Sequence, residues 1–92
     1  MLIQKKKQMI KLVEVIETAG QFNLREIVVN SHHILSMVAD DQCAGLHAKG
    51  KLPEGLHPAQ QFSKVTFTNG KEIIVIGTPD VIGRKAKKIL HS

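Results

Sequence analysis

An Asn-Gly pair between two short runs of strand-forming residues constrains the fold more than any other feature of the chain. Residues 65–68 and 71–76 flank Asn69 and Gly70. Asn and Gly accept the positive φ angles of a two-residue type I′ turn, so the pattern predicts a β-hairpin. Because residues 73–76 are all apolar, the second strand is predicted to lie in the centre of the sheet, buried on both faces.

A capped helix is predicted directly after this hairpin. Thr78 is the expected N-cap and Pro79 the first helical residue, while the charge of Asp80 suits the positive end of a helix. Apolar residues at helical spacing follow, which predicts that one side of the helix packs on the sheet. The opposite side is basic and carries Arg84, Lys87, Lys88 and His91 at helical spacing, with Lys85 beside them.

Three earlier segments are predicted to be strands, at residues 10–16, 24–29 and 34–39. Each is short and rich in β-branched or other apolar residues, and Gly20 and the pair Asn30-Ser31 supply turn signals between them. This spacing favours an antiparallel meander of the three strands. For the first segment, a short helix that continues from residue 4 is the alternative.

Residues 40–62 form a long connection without strand character. Asp40 and Asp41 are expected to cap a short helix that ends at Gly50. The connection also contains the large apolar residues Leu52, Leu56 and Phe62. Their side chains either fold back on the core as a lid or project as a partner-binding loop, and the lid is favoured.

The net charge of +5 is distributed unevenly along the 92 residues. Residues 1–11 carry +4, residues 12–41 carry −4 and residues 78–92 carry +3. Basic ends are typical of proteins that bind nucleic acid. The alternative is a solvated surface whose positive charges suit the negative end of the last helix. The residues predicted to contact nucleic acid or another partner are Lys5, Lys6, Lys7, Arg84, Lys85, Lys87 and Lys88.

The composition indicates what kind of nucleic-acid binding is open to the chain. Trp and Tyr are absent, so bases have few aromatic side chains on which to stack. Arg occurs only twice, which limits the recognition of base edges. Binding would therefore depend on phosphate contacts more than on base sequence.

Metal binding and catalysis are both disfavoured. Cys43 and His47 share one helix face by spacing, and His57 with His32 or His33 could complete a zinc site, but no CxxC or HxxxH pair is present. No nucleophile has a recognisable base partner. A chain this short also has little room to enclose a pocket. We therefore expect no enzyme activity, no metal and no cofactor.

The cellular compartment is predicted from cysteine usage and hydropathy. Cys43 is the single cysteine, which excludes an intramolecular disulfide and favours the reducing cytoplasm. No apolar run approaches the roughly 18 residues that span a bilayer, and lysines follow too soon after Met1 for a signal peptide. We expect a cytoplasmic protein with no membrane partner, in which residues 1–8 are a flexible basic extension.

Two resemblances to known proteins add to this interpretation. The strand core resembles the small FlbD-type flagellar regulators at Val28-Val29-Asn30, at Ile34 and in the hairpin of residues 65–75, and more loosely the LytTR-type DNA-binding domain. Over about residues 10–90 the chain is similar to small uncharacterised proteins of T4-type tailed phages. The second resemblance is carried by residues 24–30, 33–34, 52–56, 62–65 and 74–77. Together they imply a regulatory protein, acting in the host cytoplasm if it is encoded by a phage.

The expected fold is a small α+β domain spanning residues 9–92. It has a five-stranded, mostly antiparallel sheet or a partly closed barrel, one C-terminal helix and a long 40–62 loop. The expected function is that of a non-enzymatic binding or regulatory protein that docks on nucleic acid or the transcription machinery through the basic helix. The alternative is a protein-interaction module, such as a host-protein inhibitor or an assembly factor. Exposed sheet edges in so small a domain also predict a homo-oligomer.

Overall fold

A computed structural model of the protein describes residues 9–91, with side chains described up to residue 85. The expected extension at residues 1–8 and the side chains of Lys87, Lys88 and His91 lie outside this range. The elements in chain order are β1 (Met9–Thr18), β2 (Gln21–Asn30), a 3-10 turn (Ser31–His33), β3 (Ile34–Asp40), α1 (Asp41–Ala48), β4 (Phe62–Phe67), β5 (Glu72–Ile76) and α2 (Pro79–His91).

The five strands form one sheet in the order β2-β1-β5-β4-β3, with every neighbouring pair antiparallel. The central position predicted for β5 is confirmed. β1 pairs with β2 along ten residues but with β5 only at Glu14↔Val75 and Val15↔Ile74. This narrow pairing is the seam between the β1–β2 hairpin and the three remaining strands.

The expected meander of the first three strands is wrong, because β3 pairs with β4 and not with β2. The reason lies in the turn between β2 and β3. The Asn30 side chain accepts a 2.9 Å hydrogen bond from the His32 backbone N–H and caps the 3-10 turn. The chain therefore does not reverse into a hairpin, and the carbonyl of His33 instead accepts from the N–H of Thr68 at 2.8 Å, beside the β4–β5 hairpin.

The sheet is strongly coiled but remains open. β2 and β3 lie at opposite edges, and four strand spacings of a flat sheet amount to about 19 Å. Asn30, at the end of β2, and Ile34, at the start of β3, are only four residues apart, so they are separated by at most about 14 Å even if the chain between them is extended. The two edges therefore converge at this end without pairing, so the open sheet is observed and the alternative of a partly closed barrel is wrong.

The type I′ turn is found in the first hairpin and not in the second, for which it was predicted. In the β1–β2 turn both Ala19 and Gly20 have positive φ, at 53° and 82°, which is the type I′ pattern. In the β4–β5 turn only Gly70 has positive φ, at 87°. Its N–H donates to the carbonyl of Phe67 at 2.8 Å, so the hairpin is closed by a three-residue loop. The hairpin prediction at Asn69 and Gly70 is confirmed, but the predicted type I′ turn is wrong.

Both faces of the sheet are covered, each by a different helix. On the face that we call the α2 face, Ile82 of α2 packs in a core with residues of β1, β4 and β5, namely Ile10, Leu12, Val65, Ile73 and Val75. On the opposite face, the α1 face, Cys43 of α1 packs with Val15, Leu52 and Phe62. The fold is thus α+β as expected, but with two helices in place of the single C-terminal one.

Candidate nucleic-acid interface

Hydrogen bonds of Gly77 and Thr78 fix the point at which α2 begins. Thr78 caps the helix, because its Oγ1 accepts from the Val81 N–H at 3.2 Å. The fully buried Ser63 of β4 donates from Oγ to the carbonyl of Gly77 at 2.7 Å. The N–H of Gly77 in turn donates to the carbonyl of Gln61 at 2.9 Å. The predicted cap is confirmed, and these bonds set the position from which the basic helix extends.

Among the described side chains of α2, Ile82 lies against the sheet, and Arg84 and Lys85 are exposed. Ile82 is almost fully buried, and Gly83 lies next to the Met37 side chain of β3. The helix continues to His91, so the helical spacing assumed for the basic residues holds along their whole range. The two described members of the predicted set are therefore accessible to a large partner such as nucleic acid.

A contact between α2 and β1 holds a basic residue of the helix against the backbone of the first strand. The Lys85 ammonium donates from Nζ to the carbonyl of Lys11 at 3.1 Å, across 74 residues of sequence. The Lys11 side chain is itself exposed. Lys5, Lys6 and Lys7 lie outside the described residues, but they precede the start of β1 at Met9 by only a few residues. Ile10 and Leu12 are buried on the α2 face, so the intervening Lys11 side chain lies on the α1 face, and only its backbone takes part in this contact.

Acidic groups lie toward the other end of β1. Arg25 of β2 is bound to Glu14 of β1, with a distance of 2.8 Å between Nη2 and Oε1. A groove of about 390 Å³ lies beside the β1–β5 seam and is lined by Glu14, Glu17 and Glu72 together with Lys64. This end of the sheet is less suited to phosphate, since three carboxylates outnumber the two cations Arg25 and Lys64 there. The candidate interface is therefore confined to α2 and the beginning of β1.

The predicted partner loop is a lid on the α1 face. Leu52 is 7% exposed and Phe62 is 1% exposed, while Leu56 is half-buried in the same cluster. His47 of α1 donates from Nε2 to the carbonyl of His57 at 2.8 Å and places its ring edge-on to Phe62. These residues pack in or against the core as the favoured lid alternative predicts, and the partner-loop alternative for Leu52, Leu56 and Phe62 is corrected. We refer to residues 49–61 as the lid.

The structure describes the surroundings of Cys43 and of the histidines considered as metal ligands or catalytic groups. Burial raises the pKa of the Cys43 thiol from 9.0 to about 11, and the charge of Asp40 and a hydrogen bond to its carboxylate add to the effect. The thiol is thus protonated at neutral pH and a poor nucleophile. His32 and His33 are exposed on the 3-10 turn. In the part of the chain that the structure describes, no group of three or more His, Cys, Asp or Glu side chains is arranged to hold a metal ion.

The predicted cap of α1 is also confirmed. The Asp40 carboxylate accepts from the backbone N–H of Cys43 at 2.9 Å. At the other end, the N–H of Gly50 donates to His47 and that of Lys51 donates to Leu46, both at 3.0 Å, and Gly50 has a φ of 74°. This end geometry turns the chain from α1 into the lid.

Comparisons with protein-family models, with curated proteins and with solved structures gave no match for this chain. The resemblances to flagellar regulators and to phage proteins therefore stay predictions. Among residues 9–91, neither helix has the length and hydropathy needed to cross a membrane.

Proposed function

We propose that the protein is a small non-enzymatic regulator that docks on the phosphate backbone of nucleic acid through the exposed basic side of α2 and the start of β1. The observation that carries the proposal is the contact from Lys85 Nζ to the Lys11 carbonyl. It holds the exposed basic residues of α2 beside the backbone at the start of β1, which directly follows the most basic stretch of the sequence. Ile82 of the helix is used in the core, and the exposed Arg84 and Lys85 are available to a partner.

The aromatic residues support a phosphate-driven mode of binding. Phe62 is buried, and Phe22 and Phe67 are half-buried against the two cores. No fully exposed Phe ring is thus offered for base stacking among the described residues. Binding should tolerate any base sequence and weaken steeply with salt. If the four basic residues at positions 84, 85, 87 and 88 each contact a phosphate, the slope of log affinity against log salt is about −3.6 on duplex DNA.

The test is fluorescence anisotropy with labelled single- and double-stranded DNA and RNA at about 50 and 200 mM salt, a range over which multi-phosphate contacts weaken strongly. The variant Arg84→Glu/Lys85→Glu should weaken binding at least about tenfold, because it reverses two phosphate contacts. The matched control is Lys49→Glu/Lys51→Glu, which makes the same charge change at two exposed residues that follow the C-terminal end of α1. An equal loss in both variants would indicate only a net-charge effect.

The second candidate is a protein-interaction module that does not bind nucleic acid. It is favoured by Val81, an apolar residue of α2 that is exposed three positions before Arg84. An apolar side chain beside basic ones suits a partially apolar acidic protein surface better than a phosphate backbone. Failure of every oligonucleotide to bind at about 50 mM salt, where phosphate contacts are strong, would favour this module over the nucleic-acid regulator.

A further inference from the structure

The outer edge of β3 is open to pairing with another strand. β3 lies at the end of the strand order, and within residues 9–85 no backbone hydrogen bond is made to its outer side. Residues 34–39 include no charged side chain. Leu35 and Val38 are 67% and 54% exposed. An edge strand with these properties is a template for strand addition.

The other edge of the sheet is protected. β2 carries Arg25 and Glu26 in the middle of the strand, and charged side chains in an edge strand discourage pairing with a second chain. β3 has one feature that disfavours edge pairing, a bulge at Leu35 where its register with β4 shifts. The bulge lies at the start of the strand, so residues 36–40 stay regular. This segment is the part of the sheet edge that is suited to a partner.

We infer that β3 pairs antiparallel with β3 of a second copy of this chain, so that two five-stranded sheets become one sheet of ten strands. The residues of the regular segment favour this occupant. When residues 36–40 of two copies pair about a two-fold axis at Val38, the two exposed Val38 side chains lie opposite each other. Asp40 of each copy then lies opposite the uncharged Ser36 of the other. Residues 34–39 are uncharged, so pairing along this strand brings two chains of net charge +5 together with little local repulsion.

The geometry of such a dimer has a consequence for α2. When two antiparallel strands extend a sheet about a two-fold axis perpendicular to it, corresponding faces lie on the same side. Because Gly83 of α2 lies next to Met37 of β3, the two α2 helices would lie on one side, near the axis. The dimer does not depend on the proposed nucleic-acid binding and is measured without any oligonucleotide.

The dimer should be of moderate affinity. The regular segment is about 17 Å long at roughly 3.4 Å per residue. A contact of this length, two side chains wide, is small against the roughly 800 Å² per partner of stable complexes. We therefore expect dissociation in the micromolar range, and we would follow it from about 1 µM to about 1 mM, which corresponds to binding free energies of about 8 to 4 kcal/mol.

The experiment is sedimentation equilibrium of the full chain, of Val38→Lys and of the matched control Val28→Lys. Val28 is 57% exposed on the protected edge strand β2, so the control makes the same change on a side chain of similar exposure. We expect the full chain and Val28→Lys to dimerise and Val38→Lys to remain monomeric at least about tenfold higher in concentration, since an inserted Lys blocks edge pairing. Thermal unfolding checks that both variants are folded.

Hydrogen exchange supplies a second readout on the unmodified chain. In the dimer, the outward backbone N–H groups of residues 36–40 should exchange more slowly as the protein concentration rises. A chain that stays monomeric throughout, or a dimer that Val28→Lys disrupts as much as Val38→Lys, would overturn the proposal. So would protection of these N–H groups that does not change with concentration, because the edge would then be covered by the chain itself.

Discussion

On the α2 face one amphipathic helix covers the sheet, whereas on the α1 face a two-turn helix and the irregular lid share that role. α2 inserts Ile82 into a core of strand residues and begins at a capped turn tied to β4. The lid places Leu52 in its core and is held to α1 by the bond from His47 to the His57 carbonyl. The difference indicates that the α2 face belongs to the cooperative core, while the lid depends on a few local contacts and should open separately.

The largest expected effect comes from truncating the buried side chain on each face. Ile82→Ala should lower the free energy of unfolding by about 3 kcal/mol, and Leu52→Ala by about 2 kcal/mol, because each leaves a cavity in a core. Chemical denaturation measures both losses, and hydrogen exchange shows where they act. We expect Ile82→Ala to accelerate exchange throughout the sheet and Leu52→Ala mainly in the lid. A uniform acceleration by Leu52→Ala would remove the distinction between the faces.

The next effect is a loss of stability at alkaline pH that originates on the α1 face. Folding raises the pKa of Cys43 to about 11, so the unfolded chain releases the thiol proton first as the pH rises above 9.0. This contribution is fully present below pH 9 and is lost as the pH passes through about 11. Because the two pKa values differ by about two and each unit corresponds to about 1.4 kcal/mol, the complete loss is at most about 3 kcal/mol, of which about 2 kcal/mol is reached by pH 10.5.

Urea denaturation at pH 8 and pH 10.5 checks this pH dependence, with Cys43→Ala as the comparison. The variant should be less stable at both values but should lose less stability between them. The same decrease with pH in both proteins would show that the thiol does not titrate as its burial implies.

Removal of the helix caps should give a smaller and more even effect. Thr78→Ala and Asp40→Ala each delete the side-chain acceptor for a helix N-terminus, and each should cost about 1 kcal/mol. Because the α2 face belongs to the cooperative core, Thr78→Ala should lower the global melting temperature. Because α1 and the lid open separately, Asp40→Ala should instead accelerate hydrogen exchange locally in those two segments. Equal shifts in melting temperature with no local change in exchange would count against this difference between the faces.

The smallest effect concerns the bond that holds the lid to α1. His47→Phe keeps an aromatic ring against Phe62 but removes the donor to the His57 carbonyl, and should cost about 1 kcal/mol or less because that carbonyl is accessible to water. Limited proteolysis of residues 49–61 should become faster, with little change in melting temperature. Unchanged proteolysis would show that apolar packing alone holds the lid.

The features that local sequence rules describe were predicted well. The hairpin at Asn69 and Gly70, the central β5 and the caps at Asp40 and Thr78 each depend on a few adjacent residues, and all are observed. The partner of β3 was not predicted, because it depends on whether the chain reverses at residues 31–33. That choice is made by the Asn30 cap and by the contact of His33 with Thr68, which is distant in sequence.

The candidate site was predicted only in part. The exposure of Arg84 and Lys85 follows from helical spacing, since the apolar residues determine which side of the helix is buried. The contact of Lys85 with the Lys11 carbonyl spans 74 residues of sequence and has no local signal. The burial of Leu52 likewise results from the path of an irregular segment, for which no periodic pattern exists.

The seam between β1 and β5 has a consequence for the order in which the chain folds. Ten residue pairs join β1 to β2, but only two join β1 to β5. The first hairpin has contacts that are near in sequence, so it closes at low entropic cost. The other three strands need the 21-residue connection of α1 and the lid to close before β3 and β4 meet. We therefore expect the chain to fold as an early hairpin and a later three-stranded unit, with docking at the seam as the step that completes the sheet.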